Sequence, residues 1–153
     1  MTFLEHRIPP PLVFLLFAIA MAIAAWLGAA MTLAPAFRWA VVGLFVFAGA
    51  GLAPPAIIAF RRAQTTVNPV QIDKASSLVT SGPFRHTRNP MYLGLTSLLA
   101  AWAFALSAPL TLIGPFLFVL FITQFQIVPE ERMMKEKFGA AYDDYCGRVR
   151  RWI

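Results

Sequence analysis

Residues 89–128 read NPMYLGLTSLLAAWAFALSAPLTLIGPFLFVLFITQFQIV, a run without a single Asp, Glu, Lys or Arg. Two apolar blocks, Met91–Leu106 and Leu110–Val128, flank Ser107-Ala108-Pro109, whose residue types mark a tight reversal. A membrane span takes about 20 apolar residues to cross roughly 30 Å of hydrocarbon. The second block meets that length; the first is short and borrows Asn89, Pro90 and Ser107. Asn89 is a favoured helix cap, and Pro90 suits a first helical position, where its missing N–H would be unpaired anyway. The stretch therefore reads as an antiparallel membrane hairpin. Its two ends return to one membrane face, which brings Arg85–Tyr92 close to Glu130 and Glu131.

Two further blocks are uncharged, Leu12–Leu33 and Trp39–Phe60. The whole chain is 59% hydrophobic and 13% charged, about half the charge of a soluble domain. The reading is an all-α polytopic membrane protein with about four transmembrane helices in a single domain. A secretory signal has an apolar core of about 7–15 residues, and the first block is longer, so it reads as a retained span. Residues 1–60 form a scaffold hairpin. In its second span Gly43, Gly49 and Gly51 suit close helix packing, and Pro54-Pro55 kinks the helix or ends it. No span holds an ionisable residue, which argues against the other class considered, a small four-helix transporter.

The basic residues are lopsided. Arg7 precedes the first span; Arg61, Arg62, Lys74, Arg85 and Arg88 lie between the second and third. Arg132, Lys135, Lys137, Arg148, Arg150 and Arg151 follow the fourth, and only Arg38 falls on the opposite side. The positive-inside rule then places both termini and the long middle loop in the cytoplasm. The net charge of +6 reports this orientation and attraction to membrane lipids, not nucleic-acid binding. Cys146 is the only cysteine, which excludes an intramolecular disulfide and a cysteine metal cluster; a surface position on a helix is the expected one.

The connection over residues 61–90 carries turn signals at Asn68-Pro69, Ser76-Ser77 and Gly82-Pro83. Leu78-Val79 and Phe84 inside it predict an ordered loop that folds back onto the protein. Pro129–Ile153 reads as an amphipathic cytoplasmic helix broken near Gly139, with Phe138, Tyr142, Tyr145, Val149 and Trp152 as its apolar stripe.

Two clusters carry possible chemistry. Arg85, His86, Arg88, Asn89 and Tyr92 gather at a helix start, where unpaired N–H groups and about half a positive charge receive an anion. Anchoring among lipid phosphates explains the same arginines equally well. No second histidine lies near His86 to suggest a metal. Glu130 and Glu131 open the next helix, where acidic residues complement the dipole. Glu131 with Lys135, and Arg132 with Glu136, also stand at i,i+4 spacing. Carboxylates at the apolar edge of a span are costly to bury without a cation, and a bound cation opposite the anion site accounts for both clusters together.

The run Leu78-Val79-Thr80-Ser81-Gly82-Pro83-Phe84, then Arg88-Asn89-Pro90-Met91-Tyr92-Leu93-Gly94, resembles the isoprenylcysteine carboxyl methyltransferase and phospholipid methyltransferase superfamily. So does the distal run of Glu130-Glu131, Phe138-Gly139, Tyr142, Tyr145, Val149 and Arg151. The resemblance covers roughly residues 65–151. It implies an integral membrane enzyme that uses S-adenosyl-L-methionine to methylate a lipophilic small molecule or lipid at the cytoplasmic face.

Carried over residue by residue, the resemblance implies a cofactor site of Ser77, Leu78, Val79, Gly82, Phe84, Asn89, Pro90, Met91, Tyr92 and Glu130. Arg88, Glu131 and His86 are the catalytic candidates, the last two as bases should the acceptor be an amine. Asn89 stands where many members have histidine, and Phe84 where several have tyrosine. Gln126 stands where the eukaryotic isoprenylcysteine enzymes carry an arginine for the acceptor carboxylate, which makes it the substrate candidate and questions that acceptor. Phospholipid amine methylation is the alternative within the superfamily.

Overall fold

A computed structural model describes residues 8–63 and 77–153; Arg7, Asn68-Pro69, Lys74 and Ser76 lie outside them. The described residues form helices α1 (Pro10–Leu27), α2 (Pro35–Arg62), α3 (Pro90–Leu106), α4 (Gly114–Ile122), α5 (Val128–Phe138) and α6 (Ala140–Arg148). No strand occurs among them. A 3-10 turn at Pro109–Ile113 leads into α4, and a π turn at Thr123–Ile127 joins α4 to α5, so Pro109–Phe138 is one long rod. That rod, α1 and α2 are long and apolar enough to cross a membrane. Helix α3, with 17 residues, rises only about 26 Å, in keeping with its short apolar block.

Helix α3 is the centre of the bundle, touching α2 on one side and α1 and α4 on the other. The α2–α3 crossing is the closest, and glycines make it so. A Cβ on Gly49 would stand 3.1 Å from the Gly94 carbonyl oxygen, and one on Gly94 would stand 3.1 Å from Ala53 Cβ. Gly43 and Gly51, expected to serve the same purpose, have open space where a Cβ would be. On the far side, Leu99, Phe118 and Ile122 are fully enclosed between α3 and α4, with Val13 and Met21 of α1 against them. Leu12, Leu15, Leu16, Ile19 and Ile23 of α1, and Phe116, Leu117 and Leu120 of α4, point outward, as lipid contact demands.

Two sequence expectations are corrected and a third, a kink or an end at Pro54-Pro55, is narrowed. The first span ends at Leu27, and Gly28–Ala34 is irregular rather than helical; there the Met31 N–H donates to the Ser107 carbonyl at 2.6 Å, so tertiary pairing replaces helical bonds. The proline pair does not end α2, which continues to Arg62. Each proline withholds one N–H from the ladder, while Ala56 and Ala59 beyond it are buried against Val79 and Phe84, and that packing holds the last turns. Finally, the C-terminal stripe is helical only to Arg148. Val149 turns extended, with φ −126° and ψ 129°.

The reversal between α3 and α4 is as expected. Ser107 takes the left-handed conformation with φ 50°, and the Thr111 hydroxyl reaches the Ala103 and Ala108 carbonyls at 3.1 and 2.7 Å. Arg38 closes the same end, donating to the Ala105 carbonyl while its guanidinium lies 5.0 Å from the Trp39 ring centroid.

Gly94→Val should separate α2 from α3 and cost about 1–3 kcal/mol, the usual range for overpacking. Thermal unfolding in detergent should show a lowered midpoint for Gly94→Val and none for Gly43→Ala. Equal midpoints for Gly94→Val and the wild type would exclude the crossing as a stability determinant.

Candidate functional site

At the end of the bundle away from Ser107, the two ends of the hairpin meet through side chains. The Tyr92 hydroxyl, in the first turn of α3, donates to Glu130 Oε1, in the first turn of α5. Tyr92 is buried and Glu130 partly so. A π turn directly before α5 enlarges the rod by one residue per turn, and Pro129 follows, so the helix carries its glutamates inward where an α-helical register would shift them.

One residue further on, Glu131 is gripped by two arginines. Arg151 Nε and Nη2 bind its two oxygens at 3.0 and 2.6 Å, a fork-to-fork pair. Arg88 Nη2 adds a contact to Oε1 at 3.2 Å. Arg88 also donates through Nη1 to Cys146 Sγ, and its Nε is buried with no partner among the described residues. The hydrogen bonds that Arg151 donates to Glu131, first among the causes, raise the Arg151 pKa above its usual value. Lys135, expected to pair with Glu131, pairs instead with Asp143 at 3.0 Å, because the two arginines occupy the carboxylate.

The extended C-terminal segment forms a seam with the start of α3. The Arg88 N–H donates to the Arg150 carbonyl at 3.0 Å. Thr87 Oγ1 and Asn89 Nδ2 both donate to the Arg151 carbonyl, at 3.1 and 3.0 Å. Asn89 is thus not the side-chain cap that its position suggested; the tail carbonyl claims its amide, and no side chain caps α3. The preceding loop is pinned as well. Ser77 Oγ donates to the Ala63 carbonyl at 3.2 Å, Phe84 meets Phe60 edge-on at 5.2 Å, and the Tyr145 hydroxyl donates to the Phe84 carbonyl at 2.8 Å.

These contacts enclose a cavity of about 390 Å³, within the range of small-molecule sites, about 300–1,000 Å³. Of the cofactor, catalytic and substrate candidates, Ser77, Leu78, Val79, Phe84, Arg88, Asn89, Pro90, Met91, Tyr92, Glu130 and Glu131 all line it, while Arg85 of the first cluster is exposed outside it. Three of those candidates do not. Gly82 only starts the 3-10 turn Gly82–Arg85, with φ 61°. His86 follows that turn and is exposed. Gln126 is buried in the π turn, where its Nε2 donates to the Ile8 carbonyl at 2.7 Å, tying down the entry to α1.

Sequence reading missed other walls. Pro10 and Pro11 of α1, Ala53, Ile57 and Phe60 of α2, and Met134 of α5 also line the cavity, so the first hairpin supplies part of its wall. Nothing in their residue types separates them from lipid-facing neighbours. Tyr142 and Tyr145 were visible as a stripe, and the structure turns them onto the cavity. The lining is thus apolar and aromatic, with Arg88 and an uncapped helix start on one side and the Glu130 carboxylate on another.

Tyr145→Phe leaves the Phe84 carbonyl without its donor and should cost about 1–3 kcal/mol, read as a lower thermal midpoint with unchanged helicity. Burial also pushes the Tyr145 phenol up to about 12. The unfolded phenol ionises near pH 10, so its stabilising effect is complete below about pH 10 and fades as pH rises to about 12. The variant should lose that alkaline decline; a parallel decline in both proteins would exclude Tyr145 as its source.

The chain is 44% identical over 63 residues to an uncharacterized protein of Haemophilus influenzae, covering 41% of this chain and 100% of that one. The phospholipid methyltransferase family profile matches residues 37–141, from the start of α2 into α6. With well over half its length matched, the chain belongs to the phospholipid methyltransferase family.

Proposed function

We propose that this protein transfers a methyl group from S-adenosyl-L-methionine to a lipophilic acceptor that reaches the site from the bilayer. The observation that carries the reading is the separation of charge in an otherwise apolar cavity. Arg88 and the uncapped start of α3 offer a place for a carboxylate, and Glu130 offers one for an ammonium or sulfonium. A zwitterionic amino-acid end with an apolar-seeking base fits that pattern. Leu78, Val79, Phe84 and Tyr145 supply the flat, greasy surface for the base.

When bound, the cofactor supplies an electrophilic methyl on sulfur. The protein's part is to hold the reactants in line and to exclude water. Tyr92 fixes the direction of the Glu130 carboxylate. Burial of Phe84 and Val79 keeps the loop closed over the apolar side. Both oxygens of Glu131 are already held by guanidinium groups, and exposed His86 is outside the cavity. That lining favours an acceptor already nucleophilic as it arrives, a carboxylate or a thiolate. A phospholipid amine is the second reading, carried by the family itself. Arg61, Arg62, Arg85 and Arg150 surround this end of the bundle, which the positive-inside rule assigns to the cytoplasmic face.

Glu130→Gln should weaken S-adenosyl-L-methionine binding by about tenfold or more, the worth of a charge-assisted hydrogen bond. Calorimetry on the detergent-purified protein measures it, and unchanged affinity sinks the assignment. Labelled methyl transfer into a total lipid extract then identifies the acceptor. An activity profile with an acid limb would favour the amine.

A further inference from the structure

Arg151 lies outside the cavity lining, yet two lining residues, Glu131 and Asn89, bond to it. Its guanidinium takes both oxygens of Glu131. Its carbonyl receives Asn89 and Thr87, and the carbonyl before it receives the Arg88 N–H. Arg88, by contrast, is the less satisfied guanidinium. It has one contact to Glu131 at 3.2 Å, one to a sulfur, which is a weak acceptor, and an Nε with no partner among the described residues. Two arginines therefore compete for one carboxylate, and the one outside the cavity holds it more tightly.

We propose that Arg151 is a positioning residue that occupies Glu131 so that Arg88 stays available to the anionic end of the ligand. This rests on the methyltransferase reading, with the cofactor carboxylate as that anionic end. Without the Arg151 fork, Glu131 draws Arg88 into a full two-point pair. An arginine so paired gives up less to a ligand, because the carboxylate it leaves is stranded in a partly buried place. The tail carbonyls work in the same direction by fixing the backbone from which Arg88 extends.

The experiment is calorimetric titration of S-adenosyl-L-methionine into four proteins: wild type, Arg151→Gln, Glu131→Gln and the double variant, with thermal midpoints recorded alongside. Arg151→Gln should lose affinity on the order of tenfold. The double variant should regain most of it, since no carboxylate is left to capture Arg88. Wild-type affinity in Arg151→Gln overturns the proposal, and so does a double variant as weak as the single one, which would mark a structural role. Should Arg151→Gln fail to fold, Glu131→Gln decides alone: affinity at or above wild type supports the competition, and a loss overturns it. A wild-type protein that binds no cofactor overturns the methyltransferase reading itself, and this inference with it.

Discussion

A carboxylate at the edge of a membrane span has to find a partner, and at Glu130 that partner is Tyr92. The pairing follows from the short reversal at Ser107, because a hairpin that turns within a few residues must bring its two ends level. Everything at the cavity is assembled around this closure. Helix α3 supplies an uncapped N-terminus, α5 supplies two glutamates, and the loop before α3 is drawn over them by Phe84. A longer reversal or a straight α-helical passage through Thr123–Ile127 would move Glu130 off that line.

The fold was legible where the bilayer imposes a length. Helices α2 and α4 sit where uncharged blocks predict them, and the α3–α4 turn falls on Ser107-Ala108-Pro109. The errors share one cause, which is that local signals lost to distant partners. Pro54-Pro55 predict a kink or an end to α2, and the end does not occur because Ala56 and Ala59 are packed against Val79 and Phe84. Apolar composition extends the first span to Leu33, but the Met31 amide bonds to Ser107. Asn89 has the residue type of a cap, but the tail carbonyl of Arg151 takes its amide.

The site was legible for the same kind of reason that the turn was. Arg88, Tyr92, Glu130 and Glu131 lie near the ends of one hairpin, so their meeting needs only the hairpin to form. Their individual partners were not legible. Sequence spacing pairs Glu131 with Lys135 along the helix, whereas the folded tail delivers Arg151, 20 positions away, to both oxygens. Contributions from α1 and α2 were hidden too, since Pro10, Ile57 and Phe60 have the residue types of any lipid-facing position.

The tail seam also explains why so compact a chain can hold polar groups in order at a membrane surface. Ion pairs in water are weak, and partly buried ones are stable only when each group is satisfied. Here the main chain does much of that satisfying: the Arg150 and Arg151 carbonyls accept one N–H and two side-chain donors from residues 87–89. The guanidinium of Arg151 is thereby delivered to Glu131 at little further cost in conformational freedom. Removing charge from that cluster acts on the partner left behind more than on the bond itself. The order of the positive side of the cavity is therefore a property of the extended C-terminal segment as much as of the turn that bears Arg88.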